Sequence, residues 1–278
     1  MDSAWHRCSD MYLYTYMAAM ISPSQLLRLE MGRRMLAGRK ERHTLQQLFW
    51  ECTLRCNLNC RHCGSDCRSE AGVTDMPLEK FITVLDEVKK IADPEHVLII
   101  TTGGEPLVRA DISECGRQIT NRGFLWGMVS NGHLLSPRKL DELIAAGLKT
   151  IAISLDGFEN DHNWMRGNPY SFQRAVEAIK ALTKRNIIWD VITCVNKRNF
   201  SSLERFRDFL IDMGVCYWRI FTVFPSGRAK DDDQLQLSDC EYKSLMDFIA
   251  KERESGRINV SYSCEGFLGK YERKVRGH

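Results

Sequence analysis

From residue 46 onward, short runs of apolar and β-branched residues alternate with stretches whose apolar positions fall three and four apart. The runs are Leu48–Thr53, His96–Thr101, Phe124–Ser130, Thr150–Leu155, Ile187–Val195 and Tyr217–Phe224. Each has the length and composition of a strand. Between the first two, Leu78, Phe81, Ile82, Leu85, Val88 and Ile91 trace one face of a helix. Boundary residues agree with this division. Ser136-Pro137 reads as an N-cap followed by a first-turn proline with Gly147 closing the helix, Ser238 and Glu241 form a capping box, and Gly214 follows Met213 where another helix should stop. Strands joined by connections long enough to hold a helix run parallel, and continuous apolar runs suit strands covered on both faces. The pattern predicts an α/β fold, a partial (β/α)6 barrel of parallel strands.

Composition narrows the partners. With 278 residues the chain is long enough to bury a large core without disulfides. A net charge of +3, with 27% charged and 44% hydrophobic residues, describes an ordinary globular chain, and no nucleic-acid partner follows from it. Residues 28–43 are basic, with Arg28, Arg33, Arg34, Arg39, Lys40 and Arg42 against Glu30 and Glu41, and read as a solvated helix face. The stretch Met11–Ser22 is too short to span a bilayer and is broken by Tyr and Thr. Packing onto the domain, a later start of translation and a signal peptide are its open readings, and no membrane span is expected.

Cysteine placement changes the picture more. There are 11, an odd number, and five of them (Cys52, Cys56, Cys60, Cys63 and Cys67) fall within sixteen residues at the end of the first strand and just after it. Clustered thiols in an odd count point to metal or redox chemistry in a reducing, cytoplasmic compartment rather than to crosslinks. Cys56, Cys60 and Cys63 are spaced C-x3-C-x2-C, three soft ligands of the kind iron–sulfur clusters select, one short of a closed site. Four other readings stay open on spacing alone: a zinc site that adds Cys67, a ferredoxin-type cluster, a thiol–disulfide pair at Cys60 and Cys63, and inert buried thiols. Cys52 and Cys67 read as neighbours of the ligands, and Cys115, Cys194, Cys216 and Cys240 as small buried hydrophobes. His62, just before the last ligand, could lie against a flat molecule or face solvent.

After the second strand comes "TTGGEP", Thr101–Pro106, in which Gly103 and Gly104 allow close backbone approach and Glu105 offers a carboxylate or carbonyl to an ammonium group. The cysteine loop and the segment Gly103–Pro106, in this order at successive strand ends, resemble the radical S-adenosylmethionine (radical SAM) superfamily. The resemblance implies a 4Fe–4S cluster on Cys56, Cys60 and Cys63, with the unligated iron chelated by the amino and carboxylate groups of SAM. It implies reductive cleavage of SAM to methionine and a 5'-deoxyadenosyl radical that abstracts hydrogen from a substrate, the cofactors carrying the chemistry. A potential toward the low end of the roughly −700 to +450 mV range of iron–sulfur proteins, and hence an external low-potential electron donor, follows. Further matches are Ser130 in "SNG", Ser154 and Asp156 in "SLDG", and Arg166 in "NWMRG", positions that resemble SAM contacts in the family. All these motifs, with "CVNK" and "FPSGR" after the fifth and sixth strands, fall at the carboxyl ends of predicted strands, the rim where parallel barrels assemble their sites.

"HNWMRG" and "FPSGRA" are similar to the subgroup that carries a C-terminal SPASM or twitch extension, which includes peptide and protein maturases, sulfatase activators, and heme and molybdenum-cofactor enzymes. A peptide or protein substrate follows as an expectation. The expected organisation is a helical, basic extension over 1–45, a radical SAM core over 46–255, and the start of a truncated extension over 256–278, where Cys264 stands alone. The competing classes are a non-enzymatic iron–sulfur or zinc module and a regulator that binds SAM without cleaving it.

Overall fold

The structure is a computed structural model that describes residues 22–42, 44–264 and 266–276. The chain divides into two units, residues 1–45 and 46–278. In the first, helix α1 (Pro23–Arg42) carries Glu30, which accepts from Arg33 at 2.7 Å and from Arg34 at 2.9 Å, so this part of the basic run is an exposed, self-paired helix surface. Residues 11–21 of the apolar stretch lie outside the described residues. Among the described residues no helix is long and apolar enough to cross a membrane.

The second unit is built on one sheet: β1 (Gln47–Thr53), β2 (Leu98–Gly103), β3 (Leu125–Ser130), β4 (Leu148–Ser154), β5 (Ile188–Val195), β6 (Tyr217–Thr222) and β7 (Asn259–Tyr262). The strands are hydrogen-bonded in chain order and every pair is parallel. Helices α2 (Leu78–Val88), α3 (Ile112–Asn121), α4 (Pro137–Ala145), α5 (Glu159–Arg166), α6 (Ser171–Leu182), α7 (Lys197–Phe200), α8 (Leu203–Asp212) and α9 (Asp239–Ser255) fill the connections, and a last short helix, α10 (Glu272–Val275), follows β7. This is the partial parallel barrel that the hydrophobic pattern predicts, with one more strand.

The boundary drawn at residue 255 has no counterpart in the sheet. β7 pairs with β6 from Tyr217 opposite Asn259 to Ile220 opposite Tyr262, so the chain past 255 continues the barrel. Four residues reading NVSY are too few and too polar to register as an apolar run. Helix ends follow their local chemistry more closely. Ser136 accepts from the Lys139 amide at the start of α4, and Ser238 and Glu241 close a capping box at the start of α9. Helix α2 stops earlier than its periodicity suggests. Phe81, Leu85 and Val88 are buried, but Ile91 is 81% exposed because the chain has already turned toward β2.

One face of the sheet is sealed by the helices. The indoles of Trp126 and Trp218 are fully buried there, and each N–H finds a threonine hydroxyl, Thr101 at 3.2 Å and Thr193 at 2.8 Å. The opposite face curls around a cavity of about 500 Å³ bounded by all seven strands, with Phe49, Ile100, Val129, Ala152, Ile188 and Tyr217 among its walls. These alternate with the helix-covered positions along each strand, as period-two side chains must. Inside it Arg219 of β6 pairs with Asp190 of β5, Nη2 to Oδ1 at 3.1 Å.

Candidate active site

At Thr53 the first strand gives way to the cysteine loop, which is pinned to the end of β2. The Thr53 and Arg55 carbonyls accept from the Gly104 and Glu105 amides at 2.7 and 2.9 Å. A Cβ on Gly103 would stand 2.3 Å from the Thr53 carbonyl oxygen, and one on Gly104 only 2.1 Å from that of Arg55. The paired glycines are therefore required here by the approach of the chain's own backbone. The loop closes through the Cys56 amide on the Arg68 carbonyl at 2.7 Å and the Cys67 amide on the Cys63 sulfur at 3.3 Å.

Cys56, Cys60 and Cys63 border a second cavity, of about 150 Å³, shared with Gly103, Gly104 and Glu105. Ser130, Ser154, Arg166 and His62 border it too. Val129 walls both this space and the larger cavity below it. Nine residues that the sequence spreads from 56 to 166 thus meet at the carboxyl ends of β1 to β4, together with His62. Pro106 and Asp156 are not among the walls. Pro106 is buried in a turn that follows β2, and Asp156 is fully buried beneath Arg166.

Three side chains have a task that differs from the simplest sequence reading. The Glu105 carboxylate points inward, accepting from Ser130 Oγ at 2.8 Å, the Asn131 amide at 2.7 Å and the Leu107 amide at 3.2 Å. It ties the ends of β2 and β3 together, and it uses the Ser130 hydroxyl to do so. Burial pushes its carboxyl above the usual range, against the pull of those hydrogen bonds. Asp156 accepts from Arg166 Nε at 2.7 Å and from the Cys194 amide at 2.9 Å. Burial alone would raise its pKa, yet Arg166, with the two nearby histidines, holds it below the ordinary carboxylate value. Arg166 is itself buried, which would lower its pKa, but Asp156 and Cys60 outweigh that and keep the guanidinium charged.

The thiols are raised by burial, Cys56 to about 11 and Cys67 to about 12, and Cys60 upward as well, so loading a metal must displace protons. Donors already stand near them: Arg166 Nη1 lies 3.8 Å from Cys60 Sγ and Asn131 Nδ2 3.9 Å from Cys56 Sγ. Such donors are what thiolate ligands of a cluster need. Cys56, Cys60 and Cys63 are walls of one cavity, and thiolate sulfur is the soft ligand that iron–sulfur clusters take. His62 is held neutral, its pKa lowered to about 4 by burial and then by Arg166, and its Nδ1 is buried without a partner among the described residues.

Sequence reasoning missed Asn131 and Arg228, both walls of the small cavity. Asn131 lies inside "SNG" and Arg228 inside "FPSGR", so the motifs were visible but the contacting residues were not. Cys67 also borders the cavity and its amide reaches Cys63, whereas Cys52 is fully buried and donates to the Thr102 carbonyl. Cys115 is buried as expected of a small hydrophobe, but Cys216 and Cys240 are exposed, Cys216 just ahead of β6 and Cys240 in the first turn of α9.

The chain is thus a β/α-barrel protein that gathers three thiols, a glycine-tightened strand end and a buried arginine at the carboxyl rim, where such barrels assemble their sites. The family model for the radical SAM superfamily matches residues 50–210, and the chain belongs to that superfamily, whose enzymes use a 4Fe–4S cluster and SAM. The chain is 30% identical to the AdoMet-dependent heme synthase of Methanosarcina barkeri, over 78% of this chain and 61% of that protein. It is 27% identical to the enzyme of that name from Nitratidesulfovibrio vulgaris, over 80% of this chain and 60% of that one. The chain thus spans about three fifths of the length of these relatives. Its fold is similar to Streptococcus suis SuiB bound to S-adenosylmethionine, with a TM-score of 0.65 and 14% identity, covering 95% of this chain and 62% of that one.

Proposed function

We propose that this chain is the catalytic core of a radical SAM enzyme in which Cys56, Cys60 and Cys63 hold the cluster and SAM lies across the cavity beside them. The observation that carries the reading is the convergence of three thiols, the Gly103–Glu105 strand end, Ser154 and the Asp156-supported Arg166 on one cavity. When bound, the cluster supplies the electron that cleaves SAM reductively, from an external low-potential donor.

The protein's part is binding and orientation. The strand end at Gly103 and Gly104 would offer backbone carbonyls to the amino group, and the Glu105 side chain keeps that backbone in place. Arg166, a fixed planar cation, would receive the carboxylate, and Asp156 acts through it. Ser154 offers a hydroxyl, Ser130 contributes chiefly through Glu105, and the neutral His62 ring offers a flat surface to the nucleoside.

For the substrate we favour a compact, largely apolar molecule bearing carboxylates, of the tetrapyrrole class. The sequence relatives named as heme synthases support this, as does the adjoining cavity of about 500 Å³, whose walls join apolar residues such as Phe49, Ile100 and Tyr217 to Arg253 and the Arg219–Asp190 pair. Modification of a peptide is the second reading, favoured by the likeness in fold to SuiB bound to the precursor peptide SuiA.

The test is anaerobic reconstitution followed by assay of 5'-deoxyadenosine with and without reductant. Reductant-dependent product is expected, and binding of SAM without cleavage would instead make the chain a regulator. Stimulation by an iron tetrapyrrole carboxylate but not by peptides would support the first substrate reading, and the reverse would support the second.

A further inference from the structure

The turn after β6, Phe224–Arg228, reaches across the rim and grips the cysteine loop through one residue. The Arg228 amide donates to the Cys63 carbonyl at 3.0 Å, and its Nε donates to the Cys60 carbonyl at 2.7 Å. Its Nη1 donates both to the Cys67 carbonyl at 3.0 Å and to Asp66 Oδ1 at 2.6 Å. Two of these carbonyls belong to ligand cysteines more than 160 residues away in sequence. The contact also dictates its neighbour. Gly227 sits at φ +56°, and a Cβ there would stand 2.4 Å from the carbonyl oxygens of Cys63 and Gly64. The side chain of Arg228 borders the cavity itself.

We propose that Arg228 is a positioning residue with two effects: it latches the cysteine loop into its ligand geometry, and it places a permanent positive charge beside the cluster. The second effect rests on the cluster reading given above. The first concerns the protein chain alone. The loop makes few backbone bonds of its own, so a planar fork that satisfies two of its carbonyls and the Asp66 carboxylate at once, beside the backbone bond to Cys63, removes much of its freedom. A cation next to the ligand thiolates favours the added electron, so Arg228 raises the potential relative to a neutral residue.

The test compares the wild-type chain with R228Q and R228K. Amide hydrogen exchange over residues 56–68 is followed in the cluster-free protein, and the midpoint potential is read after anaerobic reconstitution. In R228Q the loop amides should exchange roughly tenfold faster or more, while those of β2, β4 and β5 keep their protection. Its cluster potential should move to a more negative value. R228K should bring the potential back toward wild type without restoring loop protection, because lysine keeps the charge but not the fork. Unchanged loop exchange in R228Q would overturn the latch, and an unchanged potential would overturn the charge effect. If R228Q loses protection in the strands as well, R228K decides the matter: fast loop exchange over intact strands supports the latch and slow exchange refutes it. Failure of the wild-type chain to take up any cluster would sink the functional reading while the exchange data still settle the latch.

Discussion

Arg166 donates from Nε to Asp156 at 2.7 Å, and both side chains are buried. The pair joins the start of the β4–α5 connection to the end of α5, and Arg166 extends from it to the sulfur of Cys60 at 3.8 Å. Removing one member of a buried pair strands the other's charge, which costs about 3–5 kcal/mol. Asp156→Asn should therefore destabilise the chain by about that amount in urea denaturation, and should weaken SAM binding in the reconstituted protein. The double variant D156N/R166Q should recover part of the stability and none of the SAM affinity. A D156N protein as stable as wild type would refute the electrostatic role.

His162 gives a pH prediction. Burial lowers its pKa from 6.5 to about 3, and its Nδ1 accepts from the Asp156 amide at 3.0 Å, so the native ring stays neutral. Between those values the unfolded chain binds the extra proton, and stability rises with pH. The native state should thus lose stability progressively as pH falls from about 6.5 toward 3, as followed by denaturant midpoints across that window. His162→Asn, which keeps an acceptor but no titrating group, should flatten the slope there.

The two glycines at the end of β2 answer to steric demand. Gly104→Ala puts a methyl group 2.1 Å from the Arg55 carbonyl oxygen, backbone that cannot swing aside as a flexible side chain would. A loss of about 1–3 kcal/mol or more is expected, seen as a lower melting temperature, together with reduced iron uptake because the cysteine loop hangs from this junction. A melting temperature equal to wild type would contradict it.

Cys67 tests the ligand assignment. Its amide donates to Cys63 Sγ and its thiol borders the cavity, yet the cluster needs only three protein ligands if SAM takes the fourth iron. Cys56→Ser, Cys60→Ser and Cys63→Ser should each bring iron and sulfide content close to background after anaerobic reconstitution. Cys67→Ser should retain most of both, and its loss of cluster would require a fourth thiolate in the site.

What the sequence determined by itself is what is local. Runs of apolar residues gave six strands because one face of each lies under the helices and the other lines a largely apolar cavity wall, so most positions are apolar on either side, and caps such as Ser136 and the Ser238–Glu241 box need only three residues of context. The three proposed ligand thiols are equally local, eight positions from Cys56 to Cys63, the reach of one short loop. Tertiary structure decided the rest. The short polar strand β7 exists only because β6 offers it an edge to pair with. The inward turn of Glu105 depends on Ser130 and Asn131 standing on the next strand, and Arg228 meets Cys60 and Cys63 only once six strands have carried it round the barrel. Hydrogen-bond partners far apart in sequence are chosen by where the backbone brings them, and no spacing along the chain encodes that distance.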